Sequence, residues 1–113
     1  MLYYRNNIGE TISLLETLIS FKHIPVVFSS SCASYGVPDR LPISEHHPQR
    51  PINTYGYSKL VVEQMLKDLD AAHNLCSVSL RYFNAAGADP EAEIGEAHES
   101  ETHLIPLVLA RRP

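Results

Sequence analysis

A chain of 113 residues with 44% hydrophobic and 19% charged content is built as one ordinary globular domain or part of one, which excludes a disordered or fibrous protein. The net charge of -4 is not offset by any basic run, so no nucleic-acid partner is expected, and no apolar stretch approaches the ~20 residues of a membrane helix. Cys32 and Cys76 lie far apart, without metal-ligand or C-x-x-C spacing, and the first residues lack a signal pattern; the expectation is a cytoplasmic protein with reduced thiols.

From Tyr3 to about Lys22, Ile8, Ile12, Leu15 and Ile19 recur at the period of an amphipathic helix, and Leu14 and Leu18 widen the stripe. After Pro25, Val26-Val27-Phe28 reads as a strand buried on both faces, followed by small residues from Ser29 to Ser34. Pro38, Pro42, Pro48 and Pro51 make the stretch from Tyr35 to Thr54 an irregular connection, and a loop of that length inside a compact domain is usually functional. A second helix is predicted from about Tyr55 to His73, where Leu60, Val61, Val62, Met65, Leu66 and Leu69 leave few positions for solvent. Ser77 to Phe83 alternates as a strand, Asn84 to Ser100 is a loop rich in glycine, alanine and acid, and a last helix starts near Leu104 with Pro106 in its first turn. Helix, strand, loop, helix, strand, loop, helix is the rhythm of a parallel α/β sheet. The glycine turn that opens a dinucleotide-binding domain is missing, since Gly9, Gly36, Gly56, Gly87 and Gly95 are scattered. The chain therefore reads as a fragment or as a mispredicted start.

Tyr55 and Lys59 are one helical turn apart and share a face. A phenol, with a reference pKa of about 10, works as a base at neutral pH only when a cation stabilises the phenolate, and Lys59 is placed to be that cation. The bland alternative is an exposed helix pair. Ser29-Ser30-Ser31 falls at the carboxyl end of a strand, where open α/β sheets place ligands, although a serine run there also serves as turn chemistry or a helix cap.

Strand-end serine, proline-rich connection, then Tyr and Lys on the next helix resembles the short-chain dehydrogenase/reductase superfamily. Tyr3-Tyr4-Arg5-Asn6-Asn7 is similar to the helix start of its extended members. Phe28 to Gly36, Pro51 to Lys59, Leu80 to Ala88, and Gly95-Glu96 with Thr102 to Pro106 resemble the UDP-glucose 4-epimerase family, in family order and over nearly the whole chain. That resemblance implies the middle of a Rossmann-like doubly wound parallel sheet that lacks its first βαβ units. Residues 1–113 would then carry the Ser/Tyr/Lys set of the NAD(P)-binding domain, and residues 84–113 would open the substrate-binding portion.

The resemblance further implies Ser31 and Tyr55 as catalytic hydroxyls and Lys59 as the residue that holds the nicotinamide ribose and depresses the tyrosine pKa. Asn6, Ser31, Tyr55, Lys59 and Phe83 would meet NAD, and Ser31, Tyr55, Asn84, His103 and Leu104 a UDP-sugar, with His103 standing where relatives often carry asparagine. Without the resemblance, Phe83 reads as core packing and Asn84 as a turn residue. The related 4,6-dehydratases need an Asp-Glu pair after the serine; here Cys32 and Ala33 follow, so dehydration is set aside. A UDP-sugar 4-epimerase for an N-acetylated, pentose or uronic sugar, and an inactive truncated chain, stay open. His46-His47, His98 and His103 are the nearest approach to a metal cluster, but no H-x-x-x-H pair supports one. The apolar breadth of helices 3–22 and 55–73 implies, by the same resemblance, a homodimer of the whole protein through a four-helix bundle.

Overall fold

The computed structural model describes residues 1–21, 24–96 and 98–111; Lys22, the expected end of the first helix, falls outside them. The first helical stretch is not one α-helix. It runs as α1 (Leu2–Tyr4), a π turn (Arg5–Gly9) and α2 (Glu10–Ser20). A π turn takes in an extra residue and rotates the side chains that follow it. Here it turns Asn7 inward, where the amide Nδ2 donates to Ser58 Oγ at 2.9 Å, while the Thr11 hydroxyl donates to Asn7 O at 2.8 Å. Phe21, in extended conformation, ends α2 one residue after Ser20.

Strand β1 (Val26–Ser31) takes in the whole serine run, which forms its carboxyl end as expected. It pairs in parallel with β2 (Ser77–Tyr82), Val26 opposite Ser77 through Ser31 opposite Tyr82. Parallel neighbours require a crossover. That crossover contains α3 (Thr54–His73), whose ends are set by local chemistry: the Asn53 side chain accepts from Gly56 N–H at 2.7 Å, and Asn74 closes the helix in the left-handed conformation. The β1–α3–β2 unit is the building block of a doubly wound parallel sheet.

One face of the two strands carries Val26, Phe28 and Ser30 with Ser77, Ser79 and Arg81, all half-buried or buried, and α3 lies against it. At its amino end Leu15, Val62, Leu66 and Leu75 form the core, with Leu18, Ile19, Val26, Phe28, Met65 and Leu69 packed around them. The other face carries Val27, Val78, Leu80 and Tyr82, all exposed. The expectation that Val26-Val27-Phe28 is buried on both faces is therefore corrected. Among the described residues nothing covers the Val27 side, because the helices α2 and α3 both lie with the single core cluster.

The structure divides into two units, Met1–Phe83 and Asn84–Pro113. In the second, the Asp89 carboxylate accepts from the backbone N–H of Glu93 and Ile94 at 2.8 and 3.3 Å, and α4 (Leu104–Ala110) holds Pro106 in its first turn as expected. Among the described residues no helix is long and apolar enough to cross a membrane.

Candidate active site

Ser31 closes β1 in extended conformation, and its Oγ accepts from Ala33 N–H at 3.2 Å, capping a short 3-10 turn (Cys32–Ser34). Acting there as acceptor, the hydroxyl keeps its own proton for donation. The first turn of α3 abuts this 3-10 turn because residue 56 is glycine. A Cβ on Gly56 would meet Ala33 O at 2.3 Å, so any larger residue would push α3, and Tyr55 with it, away from the serine turn. Gly36 makes a second close approach: its φ is +73°, and a Cβ would stand 1.9 Å from Arg50 O, where the connection folds back on the strand end.

Lys59, one turn after Tyr55, donates from Nζ to Ser29 O at 2.8 Å. The ammonium stands 5.0 Å from the Phe28 ring centroid and 5.6 Å from that of Tyr55. Burial pushes the Lys59 pKa below the usual lysine value. A cation beside a phenol favours its ionised form. Tyr55 is 38% exposed, with its ring edge-on to Tyr3 at 5.9 Å. Ser58 secures this turn by donating from Oγ to Tyr55 O at 2.7 Å. The serine strand end and the Tyr-Lys helix face, separate in sequence, thus come together in one corner of the first unit.

The other expected site residues are placed as follows. Asn6 is exposed in the π turn, and its neighbour Asn7 is the residue that reaches α3. Phe83 is 60% exposed, against the core-packing alternative, and Cys32 is a free, half-buried thiol. Asn84, His103 and Leu104 belong to the second unit and are exposed there. In that unit Glu96, His98 and His103 bring ligand-type atoms within 4.8 Å of one another. All three are exposed, and each imidazole is already hydrogen-bonded to a carboxylate, His98 to Glu96 at 2.6 Å and His103 to Glu101 at 2.8 Å. His46 and His47 lie in the first unit.

Sequence reasoning missed a second polar centre behind the serine. Glu63, one turn beyond Lys59, is 1% exposed. Its carboxylate accepts from Arg81 Nε at 3.1 Å and Nη2 at 2.7 Å, from Gln49 Nε2 at 2.9 Å and from the Ser30 hydroxyl. Arg81 also donates from Nη1 to the Tyr35 phenol at 2.8 Å and to Glu45 O at 3.1 Å, and Gln49 donates to Ser34 Oγ at 3.1 Å. Burial alone would raise the Glu63 pKa, but the hydrogen bonds from Arg81, Ser30 and Gln49 and the Arg81 charge outweigh it and hold the carboxyl below its ordinary value. The Arg81 pKa is raised, first by its hydrogen bond to Glu63, against the opposing effect of burial. Each residue alone carries a signal, a glutamate inside an apolar helical run and an arginine at an alternating position of a strand, but their pairing does not.

Comparison with known proteins shows the family. The chain is 51% identical over 107 residues to the UDP-glucose 4-epimerase of Streptococcus mutans serotype c, a match covering 95% of this chain and 32% of the relative. In structure it superposes with a TM-score of 0.84 on UDP-glucose 4-epimerase from Brucella ovis in complex with NAD, at 57% identity, covering 92% of this chain and 32% of that one. It superposes with a TM-score of 0.79 on the enzyme from Bifidobacterium longum in complex with NAD+ and UDP, at 39% identity, covering 86% and 30%. The chain thus spans about a third of the length of the curated relatives it matches. A match to the NAD dependent epimerase/dehydratase family extends over residues 1–112, and the chain belongs to that family.

Proposed function

We propose that this chain is the catalytic central third of a cytoplasmic, NAD-dependent UDP-glucose 4-epimerase, an isomerase of galactose metabolism. The observation that carries the reading is the corner where Lys59 Nζ lies between the carbonyl end of β1 and the Tyr55 ring, beside the Ser31 turn. The cytoplasmic assignment rests on the sequence, in which Cys32 and Cys76 are far apart and without C-x-x-C spacing.

The donor set fits a nicotinamide ribose and a sugar hydroxyl. Lys59 spends one ammonium N–H on Ser29 O and keeps two for ribose oxygens, while the Tyr55 phenol and Ser31 hydroxyl can each accept or donate. The family resemblance implies cofactor contacts for Asn6 and Phe83 and nucleotide-sugar contacts for Asn84, His103 and Leu104, with residues 84–113 as the opening of the substrate-binding portion. Held by Lys59, Tyr55 and Ser31, NAD would supply reversible hydride transfer at sugar C4, the return to the opposite face of that carbon giving the epimer. Tyr55, as phenolate, removes the proton of the 4-hydroxyl, with Ser31 hydrogen-bonded to the same oxygen. Lys59 stabilises the phenolate, and Tyr55 gives the proton back when the 4-keto sugar is reduced. No net oxidation occurs.

The full-length protein is expected to convert UDP-galactose to UDP-glucose with its NAD retained. Turnover of UDP-N-acetylgalactosamine, a UDP-pentose or a UDP-uronic acid but not UDP-galactose would replace the sugar and keep the mechanism. Absence of saturable NAD binding in the full-length protein would sink the reading altogether.

We further propose that the whole protein pairs as a homodimer through the helical stretch that ends in α2 and through α3. A groove between α2 and α3, lined by Ile12, Ile19, Met65 and Leu69, supports that face. Met65 is partly buried against the core, so the exposed Ile12 is the cleaner position for a test. Ile12→Glu should shift the protein to monomer on sizing chromatography, and an unchanged elution volume would count against the interface.

A further inference from the structure

We propose that Glu63 is a positioning residue for the catalytic serine: through Ser30, Gln49 and Arg81 it fixes the direction in which Ser31 faces. The proposal rests on the reading of Ser31, Tyr55 and Lys59 given above. Ser30 and Ser31 are consecutive strand residues, so their side chains point to opposite faces. The Ser30 hydroxyl donates to Glu63, on the α3 side. Holding Ser30 there sets the rotation of the strand end about its own axis, and with it the orientation of Ser31. On the far side of Ser31, the Ser34 hydroxyl is 0% exposed and accepts from Gln49, which also donates to Glu63. Both flanks of the serine therefore end on one carboxylate, and that carboxylate sits on the helix that carries Tyr55 and Lys59.

A structural role alone does not account for this arrangement. The apolar cluster of Leu15, Val62, Leu66 and Leu75 already joins α2, α3 and the chain entering β2, and a buried ion pair is weak evidence for stability. What a carboxylate supplies here and a leucine could not is a planar acceptor for donors from β1, β2 and the connection at once, which fixes angles as well as contact. None of Ser30, Gln49, Glu63 and Arg81 belongs to the proposed reacting set of Ser31, Tyr55 and Lys59, so the network's influence on that set is assigned to the orientation of Ser31.

The test is Glu63→Gln in the full-length protein. Glutamine keeps the volume, but only one of its two terminal atoms can accept: Ser30 donates to Oε1 whereas Gln49 and Arg81 Nη2 donate to Oε2, so the network loses acceptor capacity on one side whichever way the amide lies. A misplacement of about 1 Å costs up to about 100-fold in rate, so kcat is expected to fall at least about 10-fold while KM for UDP-galactose and NAD occupancy stay within about twofold. A kcat per folded molecule equal to that of the unsubstituted protein overturns the proposal, whatever happens to the melting temperature. Should Glu63→Gln not fold, Ser30→Ala and Gln49→Leu each remove one donor without stranding a charge. Both are expected to lower kcat at unchanged KM, and to combine non-additively. If the unsubstituted protein has no epimerase activity, the functional reading fails, and crystal structures of the same variants still decide the positioning. Displacement of Ser31 Oγ relative to Tyr55 supports it; an unmoved Ser31 overturns it.

Discussion

The sheet meets α3 at two ends that are built differently. At the amino end of β1 the interface is apolar, with Val62, Leu66 and Leu75 against Leu15. At the carboxyl end it is polar, with Ser30, Glu63, Arg81 and Gln49 closing around one carboxylate beside Ser31, Tyr55 and Lys59. Apolar contacts tolerate small rotations because they have no direction. Hydrogen-bonded networks do not, and orientation is what a proton-transfer site needs. The difference assigns stability to one end and geometry to the other.

The largest expected effect breaks the comparison at its polar end. Tyr55→Phe in the full-length protein should reduce turnover by about 10²- to 10⁴-fold, the usual worth of a general acid-base group, with the melting temperature unchanged. A large loss of stability without loss of turnover would reverse the assignment. At the apolar end, Leu66→Ala removes a side chain that is 1% exposed and should cost about 2–5 kcal/mol, read by urea denaturation, with kcat per folded molecule preserved.

Gly56→Ala tests the joint between the two. Its Cβ would stand 2.3 Å from a backbone oxygen that cannot swing aside, so the α3 turn and the serine turn must move apart by about 0.7 Å to reach even 3.0 Å. A cost of about 1–3 kcal/mol, the range for overpacking, is expected together with a fall in kcat, since Tyr55 rides on the displaced turn. Stability lost with kcat intact would show that the site tolerates movement of its helix.

Most of this arrangement could be read from the residues, and the parts that could not share a cause. The limits of α3 and β2 followed from periodicity and the shared face of Tyr55 and Lys59 from a helical turn, whereas the choice of Ser31 within the serine run came from the family resemblance. The π turn at Arg5–Gly9 was hidden because Ile8, Ile12, Leu15 and Ile19 fit a plain α period; what interrupts it is Asn7 turned toward Ser58, a partner 51 residues away. Glu63 and Arg81, 18 residues apart in sequence, likewise find each other only through the parallel register. The two-sided burial expected for Val27 failed for the opposite reason, as composition states what a strand face can bury and not whether the described residues supply a cover.

The smallest expected effect concerns pH. The Glu63 carboxyl is held below its ordinary value of 4.5 in the folded state, so the unfolded chain binds its proton first as pH falls. Its contribution to stability is therefore complete above about pH 4.5 and is lost progressively as pH drops through the lower folded value. Glu63→Gln should flatten the acid limb of stability against pH while leaving the slope above pH 6 unchanged, as urea denaturation at a series of pH values would show. An acid limb equally steep in Glu63→Gln would mean that the network is held by its neutral hydrogen bonds, and that the charge on Glu63 serves chiefly to orient Arg81.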